Sequence, residues 1–147
     1  MHALPPGIHS DASQMKLKGG KHRPLARQVK LRSRQTDARC KIWHVSQPPD
    51  RLHPWQIKYR CPGRFGGETK VTIYLSTDEL RTMFGIGEEG ELSKELHVPG
   101  QFWRIGGFLS IPGRGTGEVG DLNCCLEVTP EIQGAVRDLI RLIEALS

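Results

Sequence analysis

The sequence has no apolar run approaching the roughly 18 residues that a membrane-spanning helix requires. Its first residues, Met-His-Ala-Leu-Pro-Pro-Gly, also lack the apolar stretch of a secretory signal peptide. These absences predict a protein that is neither integral to a membrane nor conventionally secreted, and we expect it inside the cell: in the cytoplasm, a nucleoid or a virion. With 147 residues and 37% hydrophobic content, the chain is long enough for one modest core.

Acidic residues are missing from a long stretch near the amino terminus. No aspartate or glutamate lies between Asp11 and Asp37, and this stretch holds eight cations: Lys16, Lys18, Lys21, Arg23, Arg27, Lys30, Arg32 and Arg34. Residues 1–70 contain 15 lysines and arginines against four acids, whereas residues 71–147 contain six against 12. A basic half is thus joined to an acidic half, and such asymmetry concerns binding partners more than the fold.

The stretch up to residue 37 offers few apolar side chains, and glycines and prolines interrupt any helix. Because so little apolar surface cannot offset the entropy of ordering the chain, we expect residues 1–37 to form a flexible basic arm and residues 38–147 to form one compact domain. Val29 and Leu31 alternate with cations, which is the period of a strand. This alternation predicts that the end of the arm joins the edge of a sheet.

A period of two continues in the segments that follow. Residues 40–45 alternate, and Trp55, Ile57 and Tyr59 then alternate with polar and basic residues. The two segments predict a hairpin with a wide loop and a basic outer face. The outward residues that we expect to contact nucleic acid are Lys41, Trp43, Lys58 and Arg60. Trp43 is the candidate for base stacking because it lies beside Lys41, whereas we assign Trp55 and Tyr59 to the core.

The sequence contains patterns that predict two helices. Ser76-Thr77-Asp78-Glu79 is a capping-box pattern and predicts a short helix that ends near Phe84. Thr129 and Pro130 suit the start of a longer helix over residues 130–146, in which apolar residues recur every three or four positions. Further strands are expected at about 70–75, 91–98 and 121–128, with a strand or a pair of strands around 102–111.

These elements predict an α+β fold. We expect an antiparallel sheet of about five to seven short strands, a C-terminal helix packed on it and an extended basic N-terminal arm. The predicted inner rows are Ile57, Tyr59, Val71, Ile73, Leu75, Leu122, Leu126 and Val128, facing Ile132, Val136, Leu139 and Ile143.

Cysteines and histidines offer one further candidate site. Cys40, His44, His53 and Cys61 follow the spacing C-x3-H-x8-H-x7-C, and the predicted hairpin would bring Cys40 opposite Cys61. This geometry allows a tetrahedral zinc site, although the short Cys-x-x-Cys knuckles of typical zinc sites are missing. A Cys40–Cys61 disulfide would need an oxidising compartment. Gly115-x-Gly117-x-x-Gly120 matches a dinucleotide fingerprint but precedes a predicted strand, so we interpret it as a turn or flexible loop. We predict no cofactor and no metal.

The leading functional hypothesis is a non-enzymatic nucleic-acid-binding protein with little sequence specificity. Its basic arm and basic hairpin face would neutralise the phosphates of RNA or DNA. The alternative is a structural or assembly protein, such as a viral or phage coat- or matrix-like subunit, which would self-associate through its basic and acidic halves or lie on an anionic membrane. An enzyme is the least supported class, because no pair of titratable residues has a spacing that demands a shared site.

Overall fold

The structure is a computed structural model, and it describes residues 27–33, 36–62, 67–111 and 125–146. Its elements in chain order are β1 (Gln28–Arg32), β2 (Arg39–His44), β3 (Trp55–Pro62), β4 (Glu68–Leu75), α1 (Thr77–Met83), β5 (Trp103–Ile105), β6 (Phe108–Ser110), β7 (Cys125–Glu127) and α2 (Pro130–Leu146). The predicted α+β class with short antiparallel strands and a C-terminal helix is confirmed. The strands divide between two sheets, of which the first contains β1 to β4 and the second β5 to β7.

The first sheet is an antiparallel meander in which every strand pairs with the next along the chain. Its inward side chains are apolar, and the register places Ile42 opposite Ile57 and Ile57 opposite Ile73. Successive side chains of a strand point to opposite faces of the sheet, so the period of two in the sequence becomes one buried face and one outer face. Ile42, Ile57 and Tyr59 have no exposed surface.

A single hydrophobic cluster joins this inner face to the rest of the molecule. It includes Leu80, Met83 and Phe84 at α1 and Leu109 and Leu126 of the second sheet. Two buried aromatic residues of β3 also make polar links across the cluster. Tyr59 donates its hydroxyl to the carbonyl of Leu109 at 2.8 Å, and the indole of Trp55 donates to Thr77 Oγ1 at 3.0 Å.

Both helices begin as the sequence predicts. At α1, Ser76 accepts a hydrogen bond from the backbone of Glu79, whose side chain accepts one from the Ser76 backbone. At α2, Thr129 Oγ1 accepts from the backbone nitrogen of Ile132 at 3.3 Å. These bonds satisfy N–H groups that a helix start leaves without partners.

The predicted core positions are buried or half-buried wherever the structure describes them. Those of α2 are all buried, and Val71 and Val128 are half-buried at the margin of the cluster. Leu122 lies outside the described residues. In the first sheet, β1 is an edge strand, and its residues Val29 and Leu31 are buried. The division into an arm and a domain at residue 37 stays a prediction.

The strand predicted at about 91–98 is wrong. The described segment forms one isolated bridge there, between Ile86 and Leu92. Its backbone groups find other partners: Ser93 donates to the carbonyl of Gly85 at 2.7 Å, and the buried side chain of Gln133 donates to the carbonyl of Ser93. Arg104 also reaches the carbonyl of Leu96 at 3.4 Å. Side chains of α2 and β5 therefore supply donors that a neighbouring strand would otherwise provide.

Gly85 is the position at which this loop allows the least change. It has a φ of +69°, and an added Cβ would lie 2.5 Å from the carbonyl oxygen of Ser93 and 2.8 Å from Gln133 Nε2. Gly106 has a similar φ of +58° with nothing within 4 Å of an added Cβ. A side chain at Gly106 would cause only the strain of left-handed backbone, whereas a side chain at Gly85 would add a steric clash. Comparing substitutions at the two positions therefore separates these two contributions to the loss of stability.

We expect Gly106→Ala to lower the free energy of unfolding by about 1–2 kcal/mol, the usual strain of an L-residue in left-handed backbone. Gly85→Ala should lower it by clearly more, because backbone and a buried amide occupy the space. Urea denaturation followed by circular dichroism measures both. Equal losses in the two variants would contradict the proposed close packing around Gly85.

Candidate nucleic-acid interface

The register of the first sheet aligns its outward side chains into three rows that run across the strands. The first row is Arg32, Arg39, Arg60 and Lys70; the second is Lys30, Lys41, Lys58 and Thr72; the third is Gln28, Trp43, Gln56 and Tyr74. We call these twelve residues the basic face. Neighbouring strands lie about 4.8 Å apart, and alternate residues of a strand lie about 6.7 Å apart. The seven cations are therefore closely spaced on this face.

Like charges directly opposite each other on neighbouring strands destabilise a sheet. The basic face repeats this arrangement across two rows, and Lys41 lies between Lys30 and Lys58. Burial lowers the pKa of the Lys41 ammonium, and the charges of Lys58 and Lys30 lower it further. The sheet therefore holds an electrostatic repulsion that an external polyanion would relieve.

Within the described strands β1 to β4, Glu68 is the acid beside these rows, and it balances part of their charge. Arg60 donates through Nε and through a second nitrogen, at 3.1 Å, to the two carboxylate oxygens of Glu68. These bonds hold the pKa of Glu68 below its usual range, and the charges of Arg60, Lys70 and Arg39 lower it further. Arg60 is thus the cation of the face whose charge is most directly compensated.

A depression of about 470 Å³ opens on the basic face between β1, β2 and β3. Its lining residues are Lys30, Leu31, Arg32, Arg39, Cys40, Lys41, Lys58 and Arg60. The volume falls within the range of about 300–1,000 Å³ that is common for ligand sites, but those sites are mostly apolar. Because six of its eight lining residues carry positive charge, this depression suits an anion.

The third row carries two aromatic residues, and it lies beside the cations of the second row. Trp43 is 39% exposed, and the Lys41 ammonium lies 5.3 Å from the centre of its ring. Tyr74 is 40% exposed, and its hydroxyl accepts a hydrogen bond from Gln56 Nε2 at 2.9 Å. By contrast, Trp55 and Tyr59 are buried, which confirms their predicted place in the core.

The structure brings together six of the residues singled out from the sequence: Lys30, Arg32, Lys41, Trp43, Lys58 and Arg60. Arg27 stands apart, because it shares the inward parity of Val29 and its carbonyl accepts from the backbone of His44 at 2.7 Å. The remaining candidates, Lys16, Lys18, Lys21, Arg23 and Arg34, lie outside the described residues. Sequence reasoning missed Arg39 and Lys70, although each shares the parity of outward residues on its own strand.

The zinc candidate is not supported. Cys61 is disulfide-bonded, to a partner outside the described residues, whereas Cys40 is a free thiol buried in the core. Cys40 and Cys61 therefore do not form a disulfide with each other. Burial raises the pKa of the Cys40 thiol to about 12. His44 packs edge-on against Trp55, with ring centres 4.9 Å apart. In the described part of the chain, no group of three or more potential ligands is placed to hold a metal ion.

His53 has a different set of neighbours. Its Nδ1 lies 2.7 Å from a carboxylate oxygen of Asp50, and its Nε2 lies 3.3 Å from Glu79 Oε1. The Leu52 backbone and then His53 hold the pKa of Asp50 below its usual range. Because both ring nitrogens have carboxylate partners, the imidazole ties the β2–β3 loop to the start of α1.

No protein-family model, curated protein or solved structure matches this chain. Neither helix in the described ranges combines the length and the apolar character needed to cross a lipid bilayer.

The cysteine arrangement predicts the number of reactive thiols. In denaturant without reductant, we expect two of the four cysteines to be alkylated, at Cys40 and Cys125, because neither is disulfide-bonded. After reduction all four should react. Intact mass measurement and peptide mapping provide the readout, with native protein as the control in which the two buried thiols react slowly. Four labelled cysteines before reduction would contradict the disulfide at Cys61.

The like-charge rows predict a substitution that raises stability. Lys58→Glu replaces the Lys41–Lys58 opposition with a pair of opposite charge, and we expect the free energy of unfolding to rise by about 0.2–1 kcal/mol. Lys94→Glu is the control, because Lys94 is exposed and lies outside the basic face. Urea denaturation at low salt measures both, and added salt should shrink the difference. A change in the free energy of unfolding of Lys58→Glu that is no more favourable than that of Lys94→Glu would contradict repulsion across the rows.

Proposed function

We propose that this protein is a non-enzymatic nucleic-acid-binding protein that contacts the phosphate backbone through its basic face. The supporting observation is the alignment of seven cations into two adjacent rows across four strands. Residues 1–26 carry four further lysines and arginines, which would extend the contact. RNA and DNA share the phosphate chemistry that these side chains recognise.

The energetic argument rests on counterion release. A nucleic acid holds condensed cations along its backbone, and a protein that neutralises several phosphates releases them. The lysines and arginines of the basic face are already held close together by the sheet, so binding needs no further ordering of the backbone that carries them. Contact with phosphates would also relieve the repulsion around Lys41.

Low sequence specificity follows from the same chemistry. Contacts to phosphates position a protein on a nucleic acid but do not read its bases. The first two rows hold seven cations and one threonine. We therefore expect affinity to depend on salt and on the length of the ligand far more than on its sequence.

The second candidate is an assembly protein that packs a genome or coats an anionic surface. The observation in its favour is that β1 and β4 are the edge strands of the first sheet. An exposed edge is a template for pairing with another chain, and the basic face of one copy could meet the acidic half of another. Size-exclusion chromatography at low and high salt separates the candidates: a salt-sensitive oligomer without nucleic acid would favour assembly.

We expect binding to a DNA duplex to weaken steeply with salt, with a log–log slope no steeper than about −6 for seven phosphate contacts. The measurement is fluorescence anisotropy on a variant that begins at residue 27, because this truncation keeps β1 intact. Lys41→Gln together with Lys58→Gln should make the slope shallower by about 2. Lys94→Gln is the matched control and should leave the slope unchanged.

Three results would contradict the proposal: no binding in dilute buffer, a slope near zero, or equal loss in the control variant. Vesicles of anionic lipid form a second arm of the same experiment. Tight binding to vesicles with no binding to RNA or DNA would assign the basic face to a membrane surface instead.

A further inference from the structure

We infer that the basic face takes single-stranded nucleic acid, with one base stacked on Trp43 and a second on Tyr74. This inference rests on the proposed function and names the form of nucleic acid that fits the face. It comes from the third row, which carries no cation and therefore neutralises no phosphate charge. That row contains Gln28, Trp43, Gln56 and Tyr74.

The two aromatic rings differ from the other aromatic residues of the same sheet in their exposure. Trp43 and Tyr74 are 39% and 40% exposed, while Trp55 and Tyr59 on the neighbouring strand β3 are 1% and 0% exposed. Their outward position leaves apolar ring surface in water beside a row of cations. A nucleobase covers such a surface, since stacking is available to every base.

The spacing of the face suits an unpaired strand. The third row lies about 6.7 Å from the lysine row, and β2 and β4 are about 10 Å apart. A backbone that follows the lysines would place its bases over the aromatic row. In a duplex the faces of the bases are covered by their neighbours, whereas a single strand can turn them outward onto aromatic side chains.

Polar neighbours hold both rings in place. The Lys41 ammonium lies 5.3 Å from the centre of the Trp43 ring, within the range of a cation–π contact. A base would cover the part of the indole that is exposed. Gln56 Nε2 donates to the Tyr74 hydroxyl at 2.9 Å. Gln56 is therefore a positioning residue for the tyrosine, and Lys41 serves both a phosphate and the indole.

The test compares three probes at one salt concentration: an oligothymidylate of about 12 nucleotides, the same strand with abasic central positions, and a duplex of equal length. We expect the intact strand to bind more tightly than the abasic strand and the duplex, because only its bases are available to stack on the two rings. Trp43→Ala and Tyr74→Ala should each lower affinity for the intact strand by about 5- to 150-fold. The salt slope should stay constant, because the phosphate contacts remain. Trp43→Phe should recover part of the affinity.

Trp103→Ala is the matched control, because Trp103 is 40% exposed on β5 of the second sheet. The affinity of this variant for the intact strand should equal that of the unsubstituted protein. If salt-dependent binding persists in all variants and the abasic strand binds as well as the intact one, stacking is excluded and phosphate binding stands. If no probe binds, the proposed function itself fails. A loss in Trp103→Ala equal to that in Trp43→Ala would also overturn the inference.

Discussion

The register of the four-stranded meander is the constraint on which the rest of this structure depends. A shift of one residue would exchange the two faces of a strand, sending lysines into the core and isoleucines into water. The buried face fixes the register through contacts such as Ile42 against Ile57 and Tyr59 with Leu109. As a consequence, the same pairing aligns the cations of the outer face, although their mutual repulsion opposes it.

The core and the outer face therefore act against each other. Burial of apolar residues on one side of the sheet supplies the driving force for folding, and the like charges on the other side reduce it. Lys41 shows this conflict most directly, because Lys30 and Lys58 flank it across the strands. Such a conflict between local stability and the fold is expected where a surface serves binding.

Other polar groups in the molecule are matched to structural partners. Gln133 donates to backbone carbonyls at the turn after α1, His53 contacts Asp50 and Glu79, and Glu68 pairs with Arg60. The described strands β1 to β4 carry seven cations on the basic face and one acid, Glu68. This excess of positive charge supports the proposal that the basic face binds an external polyanion.

The sequence by itself determined the two faces of each strand, both helix starts and the apolar stripe of α2, because alternation and capping are local properties. It also separated buried Trp55 from exposed Trp43. Only the tertiary structure decided that Arg39 and Lys70 join the other cations, that residues 91–98 bond to side chains rather than to a strand, and that Cys61 rather than Cys40 is disulfide-bonded. These features depend on which distant segments meet, and pairing between distant segments is fixed by packing of the whole core rather than by any local pattern.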